Sequence, residues 1–71
     1  MIERRFHRDL YPTAAVDDAV KVFDRFARFE LADEGEYRVV RFTAKRLERE
    51  HKIALELGNY VLGLTRQGAL S

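Results

Sequence analysis

The chain contains no cysteine, so neither a disulfide framework nor a thiolate metal site is open to it. Its only histidines are His7 and His51, too few to build a zinc site without carboxylate help. The four glycines, Gly35, Gly58, Gly63 and Gly68, are scattered, which excludes a Gly-rich phosphate loop. No apolar run approaches the length of a membrane span, and Met1-Ile2-Glu3-Arg4-Arg5 leads into no signal-peptide core. Together these absences favour a cytoplasmic protein with no membrane association. A formal net charge of +1 gives no domain-wide excess of one sign to draw in a polyanion.

What is present is a globular composition, 46% hydrophobic and 35% charged, in 71 residues. That length allows one domain, residues 1–71, with one core. A chain so short buries only about 60–65% of its unfolded surface, so tight packing or association has to help it. Ten of its thirteen cations are Arg, the side chain suited to forked pairing with carboxylates.

The hydrophobic period changes twice along the chain. Ile2 to Tyr11 reads as a strand with Ile2, Phe6 and Leu10 on one side, broken there by Arg4 and Arg8. Pro12-Thr13 then opens a helix, with Thr13 as its N-cap and Asp17 and Asp18 near its positive end. Its apolar stripe is Val16, Ala19, Val20, Phe23, Phe26 and Ala27. Asp17 with Lys21, and Asp24 with Arg28, are acid-first pairs four apart.

Phe29 and Leu31 alternate with polar neighbours, and Asp33-Glu34-Gly35-Glu36 supplies a hairpin connection to Tyr37–Phe42. Val40 and Phe42 oppose Tyr37 and Val39, so both faces of this strand are expected to be partly covered. Thr43 is the expected cap of the last helix, whose first half is charged, with Glu48 placed to pair with Lys52. Gly68 is its expected end, with Ala69-Leu70-Ser71 fraying beyond. The fold class is therefore α+β: a two-layer β-α-β-β-α domain with a three-stranded antiparallel sheet packed by two helices.

The second half of that helix carries Ile53, Ala54, Leu55, Leu57, Tyr60, Val61, Leu62 and Leu64 almost all round. One small sheet can cover only one stripe of such a helix. Ile53, Leu57, Asn59, Tyr60, Val61 and Leu64 are thus the candidate interface to a second copy or a partner protein. Gly58 and Gly63 would permit close helix approach, and Asn59 is a polar group able to fix register there.

Chemistry is harder to find. Neither histidine has a nucleophile at a recognisable spacing, and both read as solvated surface groups. Asp17 and Asp18 diverge by about 100° on a helix, and Glu34 and Glu36 sit in a hairpin, so neither pair converges as acid–base work requires. No catalytic, metal-binding or cofactor-binding residue is assigned. The alternative is single-stranded nucleic-acid binding on the strands, with Arg5, Arg38 and Arg41 as the basic surface among Phe6, Tyr37 and Phe42. The competing structural role of those arginines is pairing with Glu3, Glu30 and Glu36, the aromatics forming the core.

Laid out this way, the chain resembles the HxsD family, the small protein of His-Xaa-Ser peptide-maturation systems. The resemblance rests on Phe6 through Leu10-Tyr11, on Ala15-Val16-Asp17-Asp18-Ala19-Val20-Lys21-Val22-Phe23, and on Asn59-Tyr60-Val61-Leu62-Gly63-Leu64-Thr65-Arg66. It departs from that family's pattern at Gly63, where an acidic residue is more usual, and at Leu57-Gly58, in place of an aromatic. The resemblance implies an accessory protein accompanying radical S-adenosylmethionine enzymes, non-catalytic itself, with the cofactors held by its partners.

Overall fold

Strand β1 (Ile2–His7), helix α1 (Thr13–Phe23), strands β2 (Ala27–Glu34) and β3 (Tyr37–Ala44) and helix α2 (Glu50–Leu70) follow one another. The computed structural model describes residues 1–70, with side chains through Gly68. The strands form one antiparallel sheet in the order β1-β3-β2, so β3 is hydrogen-bonded on both sides. Gly35, at φ +59°, makes the tight β2–β3 turn possible; a side chain there would be strained.

Register sorts β3 into two faces. Opposite residues share a side, so Phe6, Val40, Phe42, Ala27 and Ala44 face one way. They join Ala15, Val16, Ala19, Val20 and Phe23 of α1 and Ile53, Ala54, Leu57 and Val61 of α2 in one buried cluster. Both helices therefore lie on the same face. Phe29 stacks on Phe42 with ring centroids 5.2 Å apart, extending the cluster towards the β2 edge.

The expected α+β architecture is the one found, with several boundaries moved. β1 ends at His7 rather than Tyr11, because the chain turns there: Leu10 and Tyr11 both donate to the His7 carbonyl, at 3.0 and 2.8 Å. Leu10 is consequently exposed, whereas Tyr11 packs edge-on to Phe6. Pro12 holds the N-cap position and Thr13 is already helical, with no side-chain cap. α1 stops at Phe23, and a 3₁₀ turn, Asp24–Phe26, delivers the chain directly into β2. Phe26 thus leaves the helical stripe and is 44% exposed, and Ala27 joins the core from a strand.

Thr43 is the other displaced residue, an exposed member of β3 rather than a cap. A 3₁₀ turn, Leu47–Arg49, precedes α2. The link is fixed instead by Glu50, whose Oε2 accepts the Ala44 N–H at 3.0 Å. α2 continues through Gly68 to Leu70; the expectation for Ser71 lies outside the described residues, as do those for the Ala69 and Leu70 side chains. The expected pairs Asp17–Lys21, Asp24–Arg28 and Glu48–Lys52 are not formed among the described residues. Lys52 approaches Glu56 instead, at 3.9 Å.

Leu57 is fully buried where α2 meets the rest of the core. Leu57→Ala is expected to lower unfolding free energy by about 2–5 kcal/mol, much of the stability of so small a domain. Urea titration followed by circular dichroism would measure it, and a loss below about 1 kcal/mol would contradict the packing described.

Candidate functional site

The face of the sheet away from the helices carries Glu3, Arg5 and His7 of β1, Tyr37, Val39, Arg41 and Thr43 of β3, and Glu34 of β2. Four of these close a ring. Arg5 Nη1 donates to Glu3 Oε2 at 3.4 Å and to Glu34 Oε1 at 3.2 Å. Arg41 Nε donates to Glu3 Oε1 at 2.8 Å, and its Nη2 donates to Glu34 Oε2. Val39, aligned with Arg5 on one side and Ala32 on the other, is wholly excluded from solvent on this helix-free face. The stems of long arginines covering an apolar residue account for that burial. Arg5 also lies over the Tyr37 ring, 5.1 Å from its centroid.

Arg38 points to the other face and ties three elements together. Its Nε and Nη2 donate to Asp17 Oδ1 of α1 at 3.2 and 3.0 Å, and its Nη1 donates to Asp33 Oδ1 of β2 at 3.0 Å. Desolvation works against its charge, but the Asp17 and Asp33 hydrogen bonds outweigh that and leave its pKa raised. Asp17 is therefore engaged with the hairpin rather than placed for the helix dipole alone.

All three residues of the candidate basic surface, Arg5, Arg38 and Arg41, are thus bound to carboxylates. Glu3 is a partner as expected, but Glu34, Asp33 and Asp17 stand in place of Glu30, and Glu36 takes His7. Phe6 and Phe42 are in the core, so Tyr37 is the one aromatic of that trio on the open face. Arg5, Arg38 and Arg41 are therefore not free cations of a stacking platform; Arg28, opposite Thr43, is the arginine of this face with no ion pair among the described residues.

His7 has both ring nitrogens engaged. Nδ1 accepts the Asp9 N–H at 3.2 Å, which leaves Nε2 to donate to Glu36 Oε2 at 3.1 Å. His51 is exposed on the first turn of α2. Among the described residues no group of three or more His, Asp or Glu side chains is placed to hold a metal ion.

The six candidate interface residues of α2 divide. Ile53, Leu57 and Val61 are buried inside the domain itself, because they form the inward stripe at spacing four. Leu64 is half-buried against the same cluster. Tyr60 turns its ring edge-on to Phe23, 5.9 Å between centroids, and is 39% exposed. Asn59 is exposed, with no side-chain hydrogen bond among the described residues. The apolar groups that face outward are instead Leu55, 63% exposed, and half-buried Leu62.

The two glycines also part company. An added Cβ at Gly58 would come within 2.8 Å of Arg4 Nη2, whereas one at Gly63 would meet open space. Gly58 makes room for Arg4, which lies over Phe6 and donates to the Ala54 carbonyl at 3.4 Å. The guanidinium of Arg4, on the inner side of β1, thus lies against the backbone of α2 at this glycine. No helix among the described residues is long and apolar enough to cross a membrane. Compared with family models, curated proteins and solved structures, the chain gives no match.

Arg38→Ala should cost about 1 kcal/mol of stability, because it removes the tie between Asp17 of α1 and the hairpin while Asp33 keeps Arg8. Arg28→Ala on the exposed edge should stay within about 0.5 kcal/mol. Chemical denaturation of the two variants separates a structural arginine from a dispensable one. Equal effects would contradict the assignment.

Three carboxyls are held below the ordinary carboxylate range: Asp33 by the hydrogen bond from Arg8, Glu34 by that from Arg41, and Glu50 by the Ala44 N–H. A depressed folded pKa contributes stability above the unfolded value and loses it as pH falls through the folded one. Melting temperature should therefore hold from neutrality to about pH 5 and fall steadily below it. Glu34→Gln should be less stable at pH 7 and show a shallower acid decline; an unchanged slope would contradict the ring.

Proposed function

We propose that the chain is a non-catalytic protein-interaction module that docks through the outer side of α2. The observation that carries this reading is the outward pair Leu55 and Leu62, seven residues and two helical turns apart, beside exposed Asn59 and Gly63. Seven-residue spacing is what a packed helix pair requires, and a glycine beside it lets a second backbone approach closely. Asn59, between the two leucines, supplies a polar group able to set register. The docked element is a helix with an apolar stripe, on a second copy or on a partner enzyme.

The resemblance to the HxsD family supports the partner-enzyme form of this reading. There the chain would be a subunit accompanying a radical S-adenosylmethionine enzyme that modifies a His-Xaa-Ser peptide, in the cytoplasm. The cofactors would be the partner's. Nucleic-acid binding through Arg5, Arg38 and Arg41 is the weaker reading, since each already holds a carboxylate.

Leu55→Asp combined with Leu62→Asp tests the proposal without touching the core stripe. The expected outcome is concentration-dependent dimerisation of the unaltered chain in sedimentation equilibrium, or nuclease-resistant capture of an iron–sulfur radical enzyme from source lysate. Either is lost in the variant while its circular dichroism is unchanged. A strictly monomeric chain that captures no such enzyme, or a variant that associates as before, would overturn it.

A further inference from the structure

The end of the domain remote from the Gly35 turn has a different charge organisation from the sheet. There the 3₁₀ turn Asp24–Phe26, the loop after β3 and the first turns of α2 enclose a hollow of about 270 Å³. Its walls are Arg25, Phe26, Lys45, Arg46, Arg49 and Ile53. Phe26 and Ile53 supply the apolar part, and Phe26 continues with Phe23 into a smaller adjoining hollow bordered by Lys52. The floor is fixed, because the Lys45 N–H donates to the Phe26 carbonyl at 3.0 Å. Arg25 lies 5.6 Å over the Phe26 ring.

None of the four cations lining this hollow makes an ion pair among the described residues, nor does nearby Arg28. By contrast Arg5, Arg8, Arg38 and Arg41 all do. Arg4, Arg28 and Arg66 also make no ion pair among the described residues, but four of the cations without one are gathered around this single apolar depression.

We propose that this hollow is a docking site for an acidic peptide segment. The segment inserts one large apolar side chain between Phe26 and Ile53 and lays flanking carboxylates on the surrounding cations. Three observations select that occupant. The hollow, about 270 Å³ with Phe26 and Ile53 in its wall, has room for a single anchoring side chain. The cations come from a 3₁₀ turn, a loop and a second 3₁₀ turn, so they ring the mouth instead of converging on one phosphate. Asp24 and Glu30 border the next hollow, beside Arg28 and Lys45, and Glu56 borders the one beside Lys52. Those acids would repel a continuous polyanion such as a nucleic-acid strand but leave room for a short acidic segment. The site is separate from the outer side of α2, and its occupancy does not depend on docking there.

The test is a titration of the ¹⁵N-labelled chain with a short Asp/Glu peptide bearing one central Phe, read by amide chemical shifts. Shifts should concentrate at Arg25–Ala27, at 45–49 and around Ile53. Affinity should fall about tenfold or more when Arg25→Glu and Arg46→Glu are combined, since like charges then face the peptide. A peptide with Ser in place of Phe should lose a similar factor. Arg66→Glu, about 20 Å further along α2, should leave binding unchanged. Shifts elsewhere, equal affinity for the Ser peptide, or tighter binding of an oligothymidylate at the same amides would overturn the proposal. The peptide-side substitution keeps the test decisive even if the double protein variant folds poorly.

Discussion

The centre of strand β3 is covered on both faces by two different kinds of cover, and the remainder of the domain is arranged around that fact. On one face Val40, Phe42 and Ala44 lie under both helices. On the other, Val39 is closed over by the Arg5–Glu3–Arg41–Glu34 ring. A two-layer domain of this size has only one helical layer to offer. The ion-pair ring supplies the second cover, made of arginine stems and forked charges. Individual exposed pairs contribute little, about 0–1 kcal/mol each, but a closed ring shares its ordering cost among four side chains and excludes water from an apolar residue.

That arrangement has a functional corollary. The cations that could have made the sheet a nucleic-acid platform are part of the structure, as is Arg38, which bridges α1 and the hairpin. What remains for partners is the outer side of α2 and the cation-ringed hollow at the far end. His7 ties the hairpin turn to β1, with Nε2 on Glu36 and Nδ1 on the Asp9 N–H in the loop after β1.

Much of the architecture was legible because period carries it: alternation around Gly35 marks a hairpin, and fourfold spacing marks both helices. The losses occurred where tertiary contacts override a continuing pattern. Phe26 stays in phase with Val16 and Phe23, yet the helix ends at Phe23 because β2 must begin at Ala27 to pair with Ala44. Thr43 has the chemistry of a cap but is held in the β3 ladder, and Glu50 takes over the connection. In α2 the apolar residues do surround the axis, but Ile53, Leu57 and Val61 are inward, which leaves Leu55 and Leu62 outside. Telling these stripes apart needs the position of the sheet, which composition does not contain. The ion-pair partners were hidden too, since register sets Arg41 opposite Glu30 and Glu3 while its guanidinium also reaches along the sheet to Glu34. Arg4 and Gly58, far apart in sequence, make sense only together.

The division of arginines into structural and free groups is the central claim, and guanidinium Nε–H exchange measures it directly. In a ¹H–¹⁵Nε correlation spectrum near neutral pH, Arg38 and Arg41 should give dispersed, slowly exchanging signals, because their Nε–H groups donate to Asp17 and Glu3 at 3.2 and 2.8 Å. Arg25, Arg28, Arg46 and Arg49 should collapse to a fast-exchanging cluster. Protected signals from that second group, with averaged ones from Arg38 and Arg41, would contradict the account.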